Sequence, residues 1–184
     1  MSEQKRRDAA ATDAFAIPDH QMLRRIGDGS YGEVWLARDE TGAYRALKVV
    51  YRRTFEHDRP FEREFSGIQK FQPISRLHSS QVGVLAVGRV PEAGLFYYAM
   101  ELADDERTGQ QIDPATYVPK TLRSEVKKRG RLQFSECLEI GLALTTALEH
   151  LHKHGLIHRD IKPSNIIFVH GVPKLADIGL VTDL

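Results

Sequence analysis

The chain has 184 residues, 26 Lys and Arg against 25 Asp and Glu, and a formal net charge of +1. Hydrophobic residues make up 41% and charged residues 28%, the proportions of a globular domain rather than a disordered chain. The even charge balance excludes a dedicated nucleic-acid binder, no stretch reaches the roughly 18 unbroken apolar residues of a membrane span, and the single cysteine, Cys137, cannot close an internal disulfide.

Residues 1–20 mix Lys5, Arg6 and Arg7 with acids and an alanine run, and read as a flexible leader. They hold no apolar segment, so they are no secretory signal, and a soluble, cytoplasmic protein is expected. Met22 to Ile26 starts a strand that runs into the glycine-rich segment Gly27-Asp28-Gly29-Ser30-Tyr31-Gly32. Val34 and Leu36 continue with strand alternation, Asp39-Glu40-Thr41-Gly42 marks a turn, and Tyr44 to Val50 is a third strand. Between Arg52 and Phe71 the apolar residues Phe61, Phe65, Ile68 and Phe71 recur by threes and fours, the period of an amphipathic helix. Two more strands, 82–90 and 94–102, flank the turn Pro91-Glu92-Ala93-Gly94.

The texture changes after Leu102. Asp104, Asp105 and Glu106 open a polar stretch, and Gly109 to Pro119 reads as a loop. Lys120 to Arg131 is basic and is expected to be a solvated helix face. A long helix is expected over Ser135–His154, capped by Ser135 and stopped by Gly155, with Leu138, Leu142, Thr145, Leu148 and Leu151 on its apolar face. Cys137 is expected in the core. Two short strands, 166–169 and 173–175, close the readable part.

Three segments carry chemistry. Gly27-x-Gly29-x-x-Gly32-x-Val34 fits either a dinucleotide site or a Gly-rich hairpin. The residues after it alternate like a strand, and a dinucleotide site needs a helix there. Two readings remain: a hairpin lid whose backbone N–H groups can close over phosphates, and an ordinary Gly-rich hairpin. In Ala46-Leu47-Lys48 a lysine sits in an apolar strand, and a buried cation needs a partner. Glu62 and Glu64 on the following helix are the two candidates. His158-Arg159-Asp160-Ile161-Lys162-Pro163-Ser164-Asn165 gathers a carboxylate that can accept a hydroxyl proton, a cation that can neutralise phosphate, and an amide oxygen suited to Mg2+. Asp177-Ile178-Gly179 supplies a second hard oxygen ligand.

Taken in order, these segments resemble the eukaryotic-type protein kinases of the Ser/Thr class, from about Met22 onward. The resemblance implies an α+β fold. A five-stranded antiparallel N-lobe with one helix would span residues 21–103, and a mainly helical, incomplete C-lobe residues 104–184. It implies Mg2+-dependent phosphoryl transfer from ATP to Ser/Thr hydroxyls of a protein substrate. Gly27, Gly29 and Gly32 would cover the ATP phosphates, and Lys48, paired with Glu64, would contact them. Val34, Ala46 and Ile167 would enclose adenine, with Met100 behind it and the hinge Glu101 to Ala103 bonding its edge. Asp160 would be the base, Lys162 the transition-state cation, and Asn165 and Asp177 the metal ligands. His158 would be structural.

The sequence departs from the family pattern in two places. Ile178 stands where the family has Phe. Five residues follow Gly179, so the activation segment and the peptide-binding platform are expected to be missing, with a C-terminal segment as a possible partner. Two further expectations follow: marginal stability of the chain alone, and, as the alternative function, a nucleotide- or partner-binding module that transfers nothing.

Overall fold

A computed structural model of the chain describes residues 16–29 and 31–177, together with the backbone of 182–183. Most of the leader, Ser30, and the Ile178-Gly179 pair of the last motif lie outside the described residues. Five strands form one antiparallel sheet in the order β1-β2-β3-β5-β4: β1 (His20–Gly29), β2 (Gly32–Asp39), β3 (Tyr44–Tyr51), β4 (Val84–Val90) and β5 (Leu95–Met100). The glycine segment therefore belongs to a hairpin, with Gly29 opposite Gly32. A Cβ on Gly32 would lie 2.0 Å from the Val49 carbonyl oxygen of β3, so this glycine serves close backbone approach.

Strand period explains the two cores. Along β3, Ala46, Lys48 and Val50 point one way and Leu47, Val49 and Tyr51 the other. Ala46 and Val50 join Phe61, Ile68, Phe71 and Phe96 in one cluster, while Leu47, Val49 and Tyr51 join Trp35 and Tyr97 in a second. The second cluster also takes in Ile17, which is buried, so the fold begins earlier than the leader boundary read from the sequence.

Helix α1 (Asp58–Phe71) starts later than expected, because Arg52–Thr54 forms a separate 3-10 turn. Its buried stripe is Phe61, Glu64, Gly67, Ile68 and Phe71, which places one carboxylate in an otherwise apolar face. The basic stretch forms α2 (Leu122–Arg129), opened by a reciprocal capping box between Thr121 and Ser124. Glu125 and Glu136 absorb Arg129, and Lys127 and Lys128 stay exposed, as a solvated face requires.

Helix α3 (Phe134–Lys153) corrects three expectations. Gln133, not Ser135, holds the N-cap position, and no side chain caps it. The buried residues are Ile140, Ala147 and Leu151, whereas Leu138 and Leu142 are 52% and 59% exposed. Cys137 is exposed as well. The helix is leucine-rich around much of its girth, so the phase of burial is set by what packs on it. Gln81 donates to the Ala147 carbonyl at 2.8 Å, and Ile166 and Leu175 pack on Ala147. Gly155, in the left-handed region, ends the helix as expected.

Strand β6 (Leu156–Ile157) leads into the polar loop, and the backbone of β9 (Thr182–Asp183) pairs with it. Strands β7 (Ile166–Val169) and β8 (Val172–Leu175) form a hairpin below the large sheet. Residues 80–82 run beside β8, with Val82 N donating to Leu175 O at 3.0 Å and Leu175 N to Ser80 O at 2.9 Å, which joins the two halves of the fold. No helix among the described residues is long and apolar enough to cross a membrane.

The burial phase of α3 gives a direct comparison. Leu151→Ala should cost about 2–5 kcal/mol, and Leu142→Ser should stay within about 0.5 kcal/mol. Urea unfolding of the two variants checks this, and the reverse order would mean that the helix buries the other face.

Candidate active site

Lys48 sits in the middle of β3, opposite Val34 on one side and Tyr98 on the other. Its side chain is 3% exposed. Its Nζ donates to Asp177 Oδ1 at 2.6 Å and stands 3.8 Å from Glu64 Oε1. Of the two candidate partners on α1, Glu64 is the one brought in. Glu62 lies outside, held by the Arg89 guanidinium at 2.9 and 2.6 Å. Both Glu64 carboxylate oxygens and the Tyr98 hydroxyl are buried without a hydrogen-bond partner among the described residues.

These contacts set the charges. Burial pushes the Glu64 carboxyl up to about 7, against the pull of Lys48 and with a further push from Asp177. Burial pulls the Lys48 ammonium down, but Tyr98, Asp177 and Glu64 together hold it above its ordinary value. Lys48 is therefore a fixed cation, and Glu64 is the group that can change charge near neutral pH.

The polar loop is organised by His158, which is 2% exposed. Its Nδ1 accepts from Asp160 N at 3.3 Å and its Nε2 donates to Ala176 O at 3.1 Å, an arrangement that assigns the proton to Nε2. Burial lowers its pKa, so the ring stays neutral and ties the loop to the residue before Asp177. Asp160 Oδ2 accepts from Lys162 Nζ at 2.7 Å and from Asn165 Nδ2 at 2.9 Å. The Lys162 hydrogen bond holds the Asp160 carboxyl below its ordinary value despite partial burial. Arg159 and Asp177 have φ of 64° and 58°, a region that costs non-glycine residues of order 1–3 kcal/mol. At Asp177 this conformation accompanies the carboxylate's contact with Lys48.

Between sheet and loop lies a cleft of about 160 Å3. Gly27, Gly29 and Val34 form its roof, with Ala46 and Lys48 beside them. Met100, Glu101 and Ala103 form its back edge, and Ile167, Asn165 and Asp177 its floor. Gly32, Glu64, Asp160 and Lys162 do not line it. Gly32 serves the hairpin, Glu64 stands behind Lys48, and the Asp160–Lys162 pair lies beside the floor through Asn165.

Sequence reasoning missed Ile26, Tyr117, Pro119 and Thr121, which also face the cleft. Tyr117 belongs to the stretch read only as a loop, and a lone aromatic among polar residues was its one signal. The stretch is highly ordered. Asp105 accepts from the backbone N–H of Arg107, Thr108 and Val118, Asp104 from those of His170 and Gly171, and Arg24 of β1 donates to Pro114 O and Tyr117 O.

Asn165 directs its amide N–H groups at Asp160, donating to the Asp160 carbonyl at 3.0 Å and to its carboxylate, so the ligand end is Oδ1, which accepts a long 3.5 Å hydrogen bond from Ser164 Oγ and keeps a second lone pair. Among the described residues no three His, Cys, Asp or Glu gather as a metal cage. Two oxygen ligands, Asn165 and Asp177, fit an ion such as Mg2+ that completes its shell with water and substrate phosphate. The His150 ring lies tilted at 5.6 Å from that of His78 and 4.5 Å from that of His154, and the three form no such cage.

The protein kinase domain model matches residues 20–184. The chain is 31% identical over 174 residues to the serine/threonine-protein kinase TOS3 of Saccharomyces cerevisiae, covering 89% of this chain and 29% of that protein. It is 30% identical over 167 residues to the serine/threonine-protein kinase PrkC of Bacillus subtilis, covering 90% and 23%. A probable serine/threonine-protein kinase of Clostridium perfringens is 29% identical over 170 residues, covering 90% and 22%. The chain thus spans under a third of the length of each of these relatives.

The raised Glu64 carboxyl predicts a pH signature. Folding lifts it from 4.5 to about 7, so the folded state keeps a proton that the unfolded chain releases. Its contribution to stability is complete below the lower value and lost as pH rises through the higher one. Urea unfolding should show wild type losing stability relative to Glu64→Gln between about pH 5 and about pH 8. A constant difference would mean that Glu64 ionises as an exposed carboxylate does.

Proposed function

The chain belongs to the protein kinase domain family, and we propose from that premise that it transfers the γ-phosphoryl group of ATP to Ser/Thr hydroxyls of protein substrates. The observation that carries this reading is the convergence of Lys48, Asp177 and Asn165 on one cleft, with Asp160 and Lys162 at its edge. Phosphoryl transfer asks a protein chiefly for positioning and for charge placed where the transition state needs it.

The back edge suits adenine. Glu101 N is used by Gly83 O at 3.0 Å, while the Glu101 carbonyl and the Ala103 N–H have no partner among the described residues. One acceptor and one donor match the amino group and ring nitrogen of a 6-aminopurine. Val34, Ala46 and Ile167 offer apolar faces to its ring, and Met100 stands behind it. Lys48 would hold phosphate oxygens in place of Asp177, and Gly27 and Gly29 let the hairpin backbone come close above them.

Mg2+ would be held by Asn165 and Asp177, and would supply charge neutralisation for the phosphates. Asp160 is poised for the substrate hydroxyl: its carboxylate is ionised and fixed by Lys162 and Asn165, and it can accept the hydroxyl proton. Lys162 Nζ, half-exposed beside it, can stabilise charge on the transferring group. A lysine at this position favours Ser/Thr acceptors within the family resemblance.

Asp160→Asn should lower transfer to a Ser/Thr peptide or to the chain itself by about 10²–10⁴-fold, with Mg·ATP affinity little changed. Phosphate incorporation and calorimetric titration read the two quantities separately. Tight nucleotide binding without transfer in wild type would support the binding-module reading instead.

A further inference from the structure

The segment from Asp104 to Pro119 is built as a wall of the cleft, and its inner residue is Tyr117. This side chain is 1% exposed, and its hydroxyl donates to the Ala103 carbonyl at 3.0 Å. Burial and the carboxylates of Asp105 and Asp104 push the phenol up, so it remains a donor across the working pH range. The ring is fixed from behind. Tyr117 N donates to Asp113 O at 2.8 Å, Val118 N to Asp105 Oδ2 at 2.8 Å, and Lys120 N to Asp104 O at 2.8 Å.

The consequence lies in the hydrogen-bond pattern of the back edge. Three backbone groups could read a purine there: the Glu101 carbonyl, the Ala103 N–H and the Ala103 carbonyl. The first two are open among the described residues, and the third is taken by Tyr117. A 6-aminopurine needs only the first two. A purine that also carries a 2-amino group brings one more donor, which would seek the Ala103 carbonyl. That oxygen keeps a second lone pair. However, an oxygen already accepting from a phenol is a poorer acceptor, and the Tyr117 ring itself stands in the cleft wall.

We propose that Tyr117, by capping the Ala103 carbonyl, is a specificity-determining residue that sets the cleft against purines with a 2-amino group. This rests on the reading that the cleft takes an adenine nucleotide. Leaving a donor unpaired in a closed site is how polar groups reject a near-identical ligand.

The test is calorimetric titration of the whole chain with Mg·ATP and with Mg·2-amino-ATP, the 2,6-diaminopurine nucleotide, in wild type and Tyr117→Phe. Wild type should bind 2-amino-ATP no more tightly than ATP. Tyr117→Phe frees the carbonyl and should move the ratio of the two dissociation constants by about threefold to tenfold toward 2-amino-ATP. A purely structural role for Tyr117 would weaken both nucleotides alike and leave the ratio unchanged, which would overturn the proposal. Tighter binding of 2-amino-ATP by wild type would overturn it without any variant, so the test stands even if Tyr117→Phe fails to fold. Binding of neither nucleotide by wild type would overturn the adenine-nucleotide reading itself, a result distinct from an unchanged ratio.

Discussion

A buried ammonium group is the constraint on which the rest of this structure depends. Lys48 lies in a central strand with almost no exposure, and a lone cation there would cost several kcal/mol. Everything near it answers that cost. Helix α1 offers one carboxylate in an apolar stripe, and the end of the β7–β8 region offers another. The answer is uneven: Asp177 takes a direct hydrogen bond, and Glu64 stands 3.8 Å away in an ion pair, its oxygens without a hydrogen bond among the described residues. Lys48 therefore joins the strand sheet, the helix and the floor of the cleft through one charge, and a phosphate entering the cleft would compete with Asp177 for it.

The same economy governs the polar loop. His158 is neutral and buried, and its two ring nitrogens tie Asp160 to the residue preceding Asp177. The Asp160 loop and the residue before Asp177 are thus registered by one imidazole. Asn165 adds a second tie, with its amide facing Asp160 and its oxygen left for a ligand. On the other side of the cleft, Asp104 and Asp105 convert a polar segment into a rigid wall through their backbone N–H contacts.

Much of this was legible in the sequence, because periodicity and charge point the same way there. Alternation in Tyr44 to Val50 places Lys48 on the face of Ala46, and the threes-and-fours spacing of Phe61, Ile68 and Phe71 selects Glu64 over Glu62 once the helix is phased. The cleft residues from Gly27 to Ile167 follow from the order of the motifs. The burial of α3 was not legible: leucines occur around the helix, and only Gln81 and the β7–β8 hairpin decide that Ala147 faces inward. Tyr117 was not legible either, since the order of its segment comes from side-chain-to-backbone hydrogen bonds that leave no periodic trace. Gly32 shares its spacing with Gly29 but answers to a neighbouring strand instead of the cleft.

The central claim is that Lys48 is the phosphate-binding charge of a nucleotide cleft. Calorimetric titration of Mg·ATP into wild type and Lys48→Met tests it most directly. The account predicts one site per chain in wild type and an affinity lower by about tenfold to hundredfold in the variant, the worth of a charge-assisted hydrogen bond. Equal affinity in a folded Lys48→Met chain would contradict it, because the buried cation would then serve the fold alone.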